Sequence, residues 1–568
     1  MPRESSPPTV TGTSAETSGD AMSEESGTSP SNSDKQGVDR RSALRLAGVG
    51  GALGLAAPVL IGTAQQAQAA APATTSAAAG SPLLLTSPEA LGAPAVEGLH
   101  LTFGADPASQ MSVSWTTDGN VRNPRVRYGT AEGGHGRTVA AETVTYTDGT
   151  SGRVVHVHHA RLTKLAPDTY YTYAALHDGG RPDAGTFRTA RRGRHAFTFT
   201  SFGDQAVPIT TWQPNGNGGY TSVPSGIASP ASADIVAGIE QVDPLFHLLN
   251  GDLCYANISP DRLRTWQGFH ANNTRSARYR PWMPAAGNHE NELKNGPIGF
   301  TAYQTRFDLP GNGSSDAELQ GLWYTFTVGS VQVVVVQNDD VALQDAGDAY
   351  VSGYSGGAQR IWLEQTLRQA RANTDVDWIV VCMHQVIISS SNANGADLGI
   401  REQWGPLFDR YGVDLVVCGH EHDYERSLAV RGTVSGSETL TPNPVSSATD
   451  VIDTSAGTVH MVLGGGGTSS PSNSEFFVPA QAKVITSVGA VGSNGKKTPT
   501  YVYENAPWVG VRDLDHSYGF AAFTVDPGTH PGDTTRIHVT YYTVAQPDGA
   551  IAPLETFVLQ RPRSDGRR

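Results

Sequence analysis

Val413-Asp414-Leu415-Val416-Val417-Cys418-Gly419-His420-Glu421-His422 is the stretch that decides the fold. It is a short apolar run that stops at a glycine and delivers two imidazoles and a carboxylate. A run this apolar suits a strand covered on both faces rather than one half-solvated. The same design recurs upstream. Ala196-Phe197-Thr198-Phe199 leads to Asp204, Leu245-Phe246-His247-Leu248-Leu249 to Asp252, and Trp378-Ile379-Val380-Val381 to His384. Between the runs, 228–243 and 357–372 read as helices; the second has Ile361, Leu363 and Leu367 apolar with Arg368 and Arg371 polar. Apolar strands alternating with helices mean sheets covered by helices. Active sites of such folds gather at the carboxyl ends of strands, where these polar residues stand.

Outward from this core, 97–190 changes character. Leu99-His100-Leu101-Thr102-Phe103 and Met111-Ser112-Val113-Ser114-Trp115 alternate with period two, as do Arg125–Tyr128 and Tyr170–Tyr173. Gly, Asp and Pro turns separate them, so a fibronectin-type sandwich is expected. The segment 430–455 reads as a polar loop, and 457–560 returns to short strands. Gly464 to Gly467 marks a close backbone approach; with no Lys-Ser/Thr after it, a phosphate-cradling P-loop is excluded.

The 568 residues call for two or three domains, and 64 glycines with 35 prolines favour strands and turns. A net charge of −14 argues against nucleic acid or an anionic membrane surface as partner. Cys254, Cys382 and Cys418 are too few for a disulfide framework and leave at least one thiol unpaired. Strand alternation turns Cys254 and Cys418 away from their neighbouring polar residues and puts Cys382 on the side of His384. Residues 1–38 lack the apolar side chains that would offset ordering and read as a disordered leader. Asp39-Arg40-Arg41-Ser42-Ala43-Leu44-Arg45, a weakly apolar stretch broken by Pro58, and Ala67-Gln68-Ala69 read as a twin-arginine export signal over 39–69, followed by a linker over 70–96. Secretion follows, with no membrane span in the mature chain.

Five motifs stand in order: Gly203-Asp204, Gly251-Asp252-Leu253-Cys254-Tyr255, Gly287-Asn288-His289-Glu290, Val381-Cys382-Met383-His384 and Gly419-His420-Glu421-His422. A glycine before the polar residue gives a turning strand backbone freedom and room. His420 and His422, two apart on a loop, can send one imidazole to each of two ions. Hard oxygen donors with imidazoles suit iron, zinc or manganese.

Here the chain resembles the purple acid phosphatases, within the calcineurin-like metallophosphoesterases. Gly419-His420-Glu421-His422-Asp423-Tyr424-Glu425-Arg426 and Trp282-Met283-Pro284-Ala285-Ala286-Gly287-Asn288-His289-Glu290 carry the likeness most specifically, and Asp515–Phe520 extends it toward the C-terminus. The resemblance implies a mixed α+β protein: the fibronectin III-like sandwich, then a four-layer α/β/β/α phosphoesterase domain over 195–430, completed by 455–562. It implies iron(III) on Asp204, Tyr255 and His422, a divalent metal (zinc, iron or manganese) on Asn288, His384 and His420, and Asp252 bridging both. Two cations ~3.5–4 Å apart need such a shared anion. Tyrosine ionises near pH 10, so phenolate ligation by Tyr255 calls for a strongly acidic cation and a coloured protein. The implied reaction is in-line attack of a metal-bound hydroxide on a small phosphomonoester, with His289 protonating the leaving group. Glu290 supports the ligands without joining them.

The chain departs from the family at Gln205-Ala206 and at Gln385-Val386-Ile387, and it has no histidine between His384 and His420. These positions bear on substrate preference and pH optimum. Phosphodiester hydrolysis at the same site, or surface adhesion with a relict metal site, are the competing readings. His156-Val157-His158-His159 in the sandwich reads as a solvated strand face rather than a metal tract.

Overall fold

Period-two alternation from Glu97 to Arg188 builds two four-stranded antiparallel sheets. The first pairs Glu97–Phe103, Met111–Thr117, Val154–Leu162 and Glu142–Thr147, and the second Arg137–Ala140, Arg125–Thr130, Tyr170–Leu176 and Asp183–Arg188. The computed structural model describes residues 93–566, apart from 216, 218, 345–350 and 493–496. The leader, the export signal and most of the linker lie outside the described residues. Leu99, Leu101, Trp115, Val126, Tyr173 and Phe187 fill the sandwich core.

The intervening polar residues are buried too, because the sandwich docks on the rest of the chain. His100 Nε2 lies 3.1 Å from the Arg306 carbonyl, Thr102 Oγ1 donates to the Asp308 carbonyl at 2.6 Å, and Tyr173 Oη donates to the Arg278 carbonyl at 2.9 Å. The expected solvated face at 156–159 is overturned: the sandwich's own strands enclose His158, and His159 Nε2 lies 3.0 Å from the Thr305 carbonyl. His158 and His159 are buried, and hydroxyls of Thr117, Thr143 and Ser114 sit against their rings.

Two seven-stranded sheets form the remainder. One runs Trp282–Ala285, Phe246–Asn250, Phe197–Phe202, Gly519–Asp526, Thr534–Val544, Ile551–Pro562, Val451–Asp453. The other runs Tyr324–Val328, Val331–Val335, Trp378–Cys382, Leu415–Cys418, Val459–Leu463, Tyr424–Ser427, Val509–Arg512. The motif-bearing strands pair in parallel within each sheet. That explains their continuous apolar runs: inner faces meet across the sheets, outer faces are covered by helices. Phe199 stacks on Phe246 and Phe523, with centroids 5.2 and 4.7 Å apart, and shares one cluster with Val333, Val380 and Val417 from the opposite sheet. Each such side chain contributes roughly 1.5–3 kcal/mol by burial.

Helices cover the outer faces. Ala231–Val242 and Ala358–Ala372 fall where helices were expected; in the second, Leu363, Thr366, Leu367 and Ala370 are buried, but Ile361 is 58% exposed. Ile361 is two positions from Leu363, about 200° around the helix, so it cannot share that stripe. The 430–455 segment is not a plain loop. It contains Val430–Thr433, Pro442–Pro444 and Val451–Asp453, the last added to a sheet edge by pairing with Val558–Gln560. Ile452, alone buried between exposed neighbours, anchors it. The C-terminal strands are long, reaching 12 residues at Ile551–Pro562.

Candidate metal centre

The five motifs sit just beyond strands of both sheets, and the loops converge. Tyr255 Oη donates to Asp204 Oδ1 at 3.2 Å and lies 3.1 Å from His422 Nε2, which is 3.5 Å from the same carboxylate. Next to this group, His384 Nε2 stands 3.0 Å from Asp252 Oδ2 and 3.2 Å from His420 Nδ1. Donor atoms of Asp252, His384 and His420 all fall within 4.8 Å of one another. His289 Nε2 is 4.0 Å from Asp252 Oδ2, and its ring packs on Tyr255 with centroids 4.5 Å apart. Asn288 is buried in the adjoining turn, and its Oδ1 has no hydrogen-bond partner among the described residues.

Backbone strain is concentrated at these residues. Asp204 (φ 59°), Asp252 (φ 52°), Tyr255 (φ 59°) and His420 (φ 74°) are all left-handed, as strained residues at functional sites often are. The glycines before them mainly provide room. A Cβ at Gly419 would sit 2.3 Å from Asp204 Oδ2, and one at Gly287 would sit 2.3 Å from Asp252 Oδ1. The tetraglycine serves the same end, since a Cβ on Gly464 would come within 1.9 Å of the Glu421 carbonyl.

Supporting hydrogen bonds fix each ring. His384 Nδ1 faces the Asn250 carbonyl at 2.8 Å and His422 Nδ1 the Ser470 carbonyl at 2.7 Å, so both turn Nε2 inward. His420 is reversed: its Nε2 faces Gln344 Oε1 at 2.9 Å, leaving Nδ1 inward. Such partners set tautomer and ring angle. Glu290 accepts from the backbone N–H groups of Asp252, Leu253 and Gly287 at 2.9, 2.8 and 2.8 Å, tying two motif loops together. His289 Nδ1 lies 2.8 Å from Asn257 Oδ1. Sequence reading missed Asn257 and Gln344. Asn257, two residues past Tyr255, was findable by proximity; Gln344 was not.

The electrostatics fit a cation. Burial pushes the Asp252 carboxyl up, but His384 and His289 outweigh it and hold the group below the usual carboxylate range. Burial alone would lower His384, yet Asp252 and Asp204 push it up to about 10. Burial and then the two carboxylates drive the Tyr255 hydroxyl well above its ordinary value. The site thus gathers two buried carboxyl groups, a buried tyrosine hydroxyl, imidazole nitrogens and an unpartnered amide oxygen within one small space. Hard oxygen and imidazole donors suit a divalent or trivalent first-row metal. Cys254, Cys382 and Cys418 are buried free thiols; Cys382 Sγ is spent on Asn250 Oδ1 at 3.2 Å.

Comparison with known proteins agrees with this geometry. Residues 96–189 match the purple acid phosphatase N-terminal domain and residues 229–424 the calcineurin-like phosphoesterase domain. The chain is 55% identical over 474 residues to an uncharacterized protein of Mycobacterium tuberculosis, covering 83% of this chain and 88% of that one. It is 27% identical over 461 residues to human acid phosphatase type 7, covering 78% and 87% respectively. The fold matches a purple acid phosphatase from yellow lupin seeds with a TM-score of 0.59 at 22% identity, over 84% of this chain and 76% of that one. The chain belongs to the purple acid phosphatases, metallophosphoesterases that hydrolyse phosphoric esters in a metal-dependent reaction at a dinuclear centre.

Proposed function

We propose that this chain is an exported phosphatase acting on small phosphomonoesters through a dinuclear centre of iron(III) and a divalent metal (zinc, iron or manganese). Asp204, Tyr255 and His422 would hold the iron, Asn288, His384 and His420 the divalent ion, and Asp252 would bridge. The observation that carries this reading is the adjacency of two donor groups, Asp204 with Tyr255 and His422, and Asp252 with His384 and His420. When bound, the metal pair polarises the phosphate and supplies an activated water as nucleophile.

The protein's own groups do the rest. Asn257 accepts from Nδ1–H of His289, which turns Nε2 toward Asp252 and the reacting centre. A proton on that Nε2 is placed for the departing alkoxide, the task of a general acid. Glu290 keeps the Asp252 and Asn288 loops in register by its three backbone contacts. Export rests on the sequence of residues 39–69.

Four measurements test the proposal. Aryl monoesters should be hydrolysed faster than aryl diesters; diesters winning by a wide margin removes the phosphatase reading. Purified wild type should contain iron and absorb visible light, with the band lost or shifted in Tyr255→Phe; a colourless, iron-free wild type points to two divalent ions. His289→Ala should slow esters with poor leaving groups more than those with good ones. Export should stop when Arg40 and Arg41 are both replaced by lysine.

A further inference from the structure

Asp397 closes the short strand Ala396–Asp397 and opens the Leu398–Gln403 helix. Its Oδ1 caps that helix, accepting from the backbone N–H groups of Gly399 and Ile400 at 2.8 and 3.3 Å. The cap leaves Oδ2 over. That oxygen accepts from the backbone N–H groups of Leu343 and Gln344 at 2.8 and 2.9 Å, 54 and 53 positions upstream. Asp397 is 1% exposed, so one buried carboxylate joins four N–H groups from two segments. The segments also touch closely, since a Cβ on Gly399 would come within 2.2 Å of the Val341 carbonyl. The Asp397 N–H in turn donates at 3.1 Å to the carbonyl of Val386, two residues past His384.

The clamped segment ends at the metal centre. Gln344 Oε1 lies 2.9 Å from His420 Nε2. An amide oxygen only accepts, so the ring proton belongs on Nε2, and Nδ1 keeps its lone pair on the side of His384 Nε2, 3.2 Å away. His384 and His422 are oriented by backbone carbonyls, those of Asn250 and Ser470. His420 is oriented by a side chain, carried on 341–344, which belongs to no helix or strand. The His420 backbone is fixed separately: its N–H donates to Asp204 Oδ2 and its carbonyl accepts from Asn394 Nδ2, both at 2.8 Å. Those bonds place the loop but do not decide which ring nitrogen holds the proton.

We propose that Asp397 is a positioning residue for the divalent metal. By clamping Leu343 and Gln344 it holds Gln344 Oε1 on His420 Nε2, which keeps His420 Nδ1 unprotonated and turned inward. The effect on metal rests on the reading of His420 as a ligand; the effect on the tautomer does not.

Zinc titration of the metal-stripped full chain by calorimetry tests the first effect, and nitrogen NMR spectra of the histidine-labelled chain test the second. Wild type should bind zinc in two steps and show His420 with its proton on Nε2 alone. Asp397→Asn keeps an oxygen for the helix cap but presents an amide NH2 to Leu343 and Gln344, so the helix survives while the clamp opens. Asp397→Asn and Gln344→Leu should each weaken one zinc step about 10–100-fold, spare the other, and mix the two His420 tautomers. Gln344→Glu keeps an acceptor and should retain the wild-type affinity and tautomer. Both residues act through one contact, so the double variant Asp397→Asn with Gln344→Leu should bind zinc no more weakly than Gln344→Leu alone. Losses that multiply, or that fall equally on both zinc steps, would overturn the proposal, as would an unchanged His420 tautomer in Asp397→Asn. A wild type that binds no zinc would defeat the reading of His420 as a ligand, and the tautomer spectra would still judge the clamp.

Discussion

In the sandwich, His158 is fully buried with Thr117 and Thr143 hydroxyls 2.8 and 2.9 Å from its ring nitrogens. In the phosphoesterase module, His384 is just as buried, but its Nε2 faces Asp252 at 3.0 Å and His420 at 3.2 Å. Burial and neighbouring histidines push His158 down to about 4, while Asp252 and Asp204 override burial and push His384 up to about 10. Burial of a histidine therefore says little about its role. The company does: hydroxyls satisfy a neutral ring, whereas carboxylates and a second imidazole leave a place for a cation.

Exchanging the two histidines for alanine breaks this comparison most sharply. His384→Ala should cut phosphatase turnover about a thousandfold or more, because it removes a proposed metal ligand, and should lower bound metal in elemental analysis. His158→Ala should leave turnover and metal content intact and cost ~1–3 kcal/mol in denaturant unfolding, since two hydroxyls lose their partner. Equal losses of activity from both would erase the distinction.

A smaller effect separates holding a metal from placing a proton. Asn257→Leu removes the partner of His289 Nδ1. Turnover should fall about 10–100-fold, the scale on which supporting hydrogen bonds matter at such sites, with metal content unchanged. Metal lost along with activity would move Asn257 into the ligand scaffold instead.

The smallest effect is on pH. His100 is pushed down to about 4 by burial and then by His159, as His158 is by burial and its histidine neighbours. Folded pKa values below the unfolded value near 6.5 mean that the unfolded chain takes up protons first. Stability is full above 6.5 and falls as pH drops from 6.5 toward 4. Thermal midpoints across that window should decline in wild type and decline less in His158→Gln.

What was legible in the sequence follows from how local each signal is. Apolar strand runs pointed to Asp204, Asp252, His384 and His420, the motifs and the family resemblance added Tyr255, Asn288, His289 and His422, and the structure brings Asp204, Tyr255 and His422 beside Asp252, His384, His420 and His289. The supporting residues were harder. Gln344 meets His420 across 76 positions of sequence, and nothing near it announces that contact. The Arg262–Ala277 helix went unread because polar residues share its buried face: Leu263, Trp266 and Phe269 are joined by His270 and Asn273, which Gln205 satisfies through a pair of amide hydrogen bonds at 2.7 Å. The His156–His159 face was misread because its strand lies inside a sandwich sheet, where Thr117, Thr143 and Ser114 meet His158 and His159, and because Thr305, far along the chain, meets the other nitrogen of His159.

The most direct test is metal content measured on the same preparation as activity. Two metal ions per chain in the active protein, with hydrolysis lost when both are stripped and regained when both return, is the result expected. Undiminished turnover by a folded, metal-free chain would contradict it.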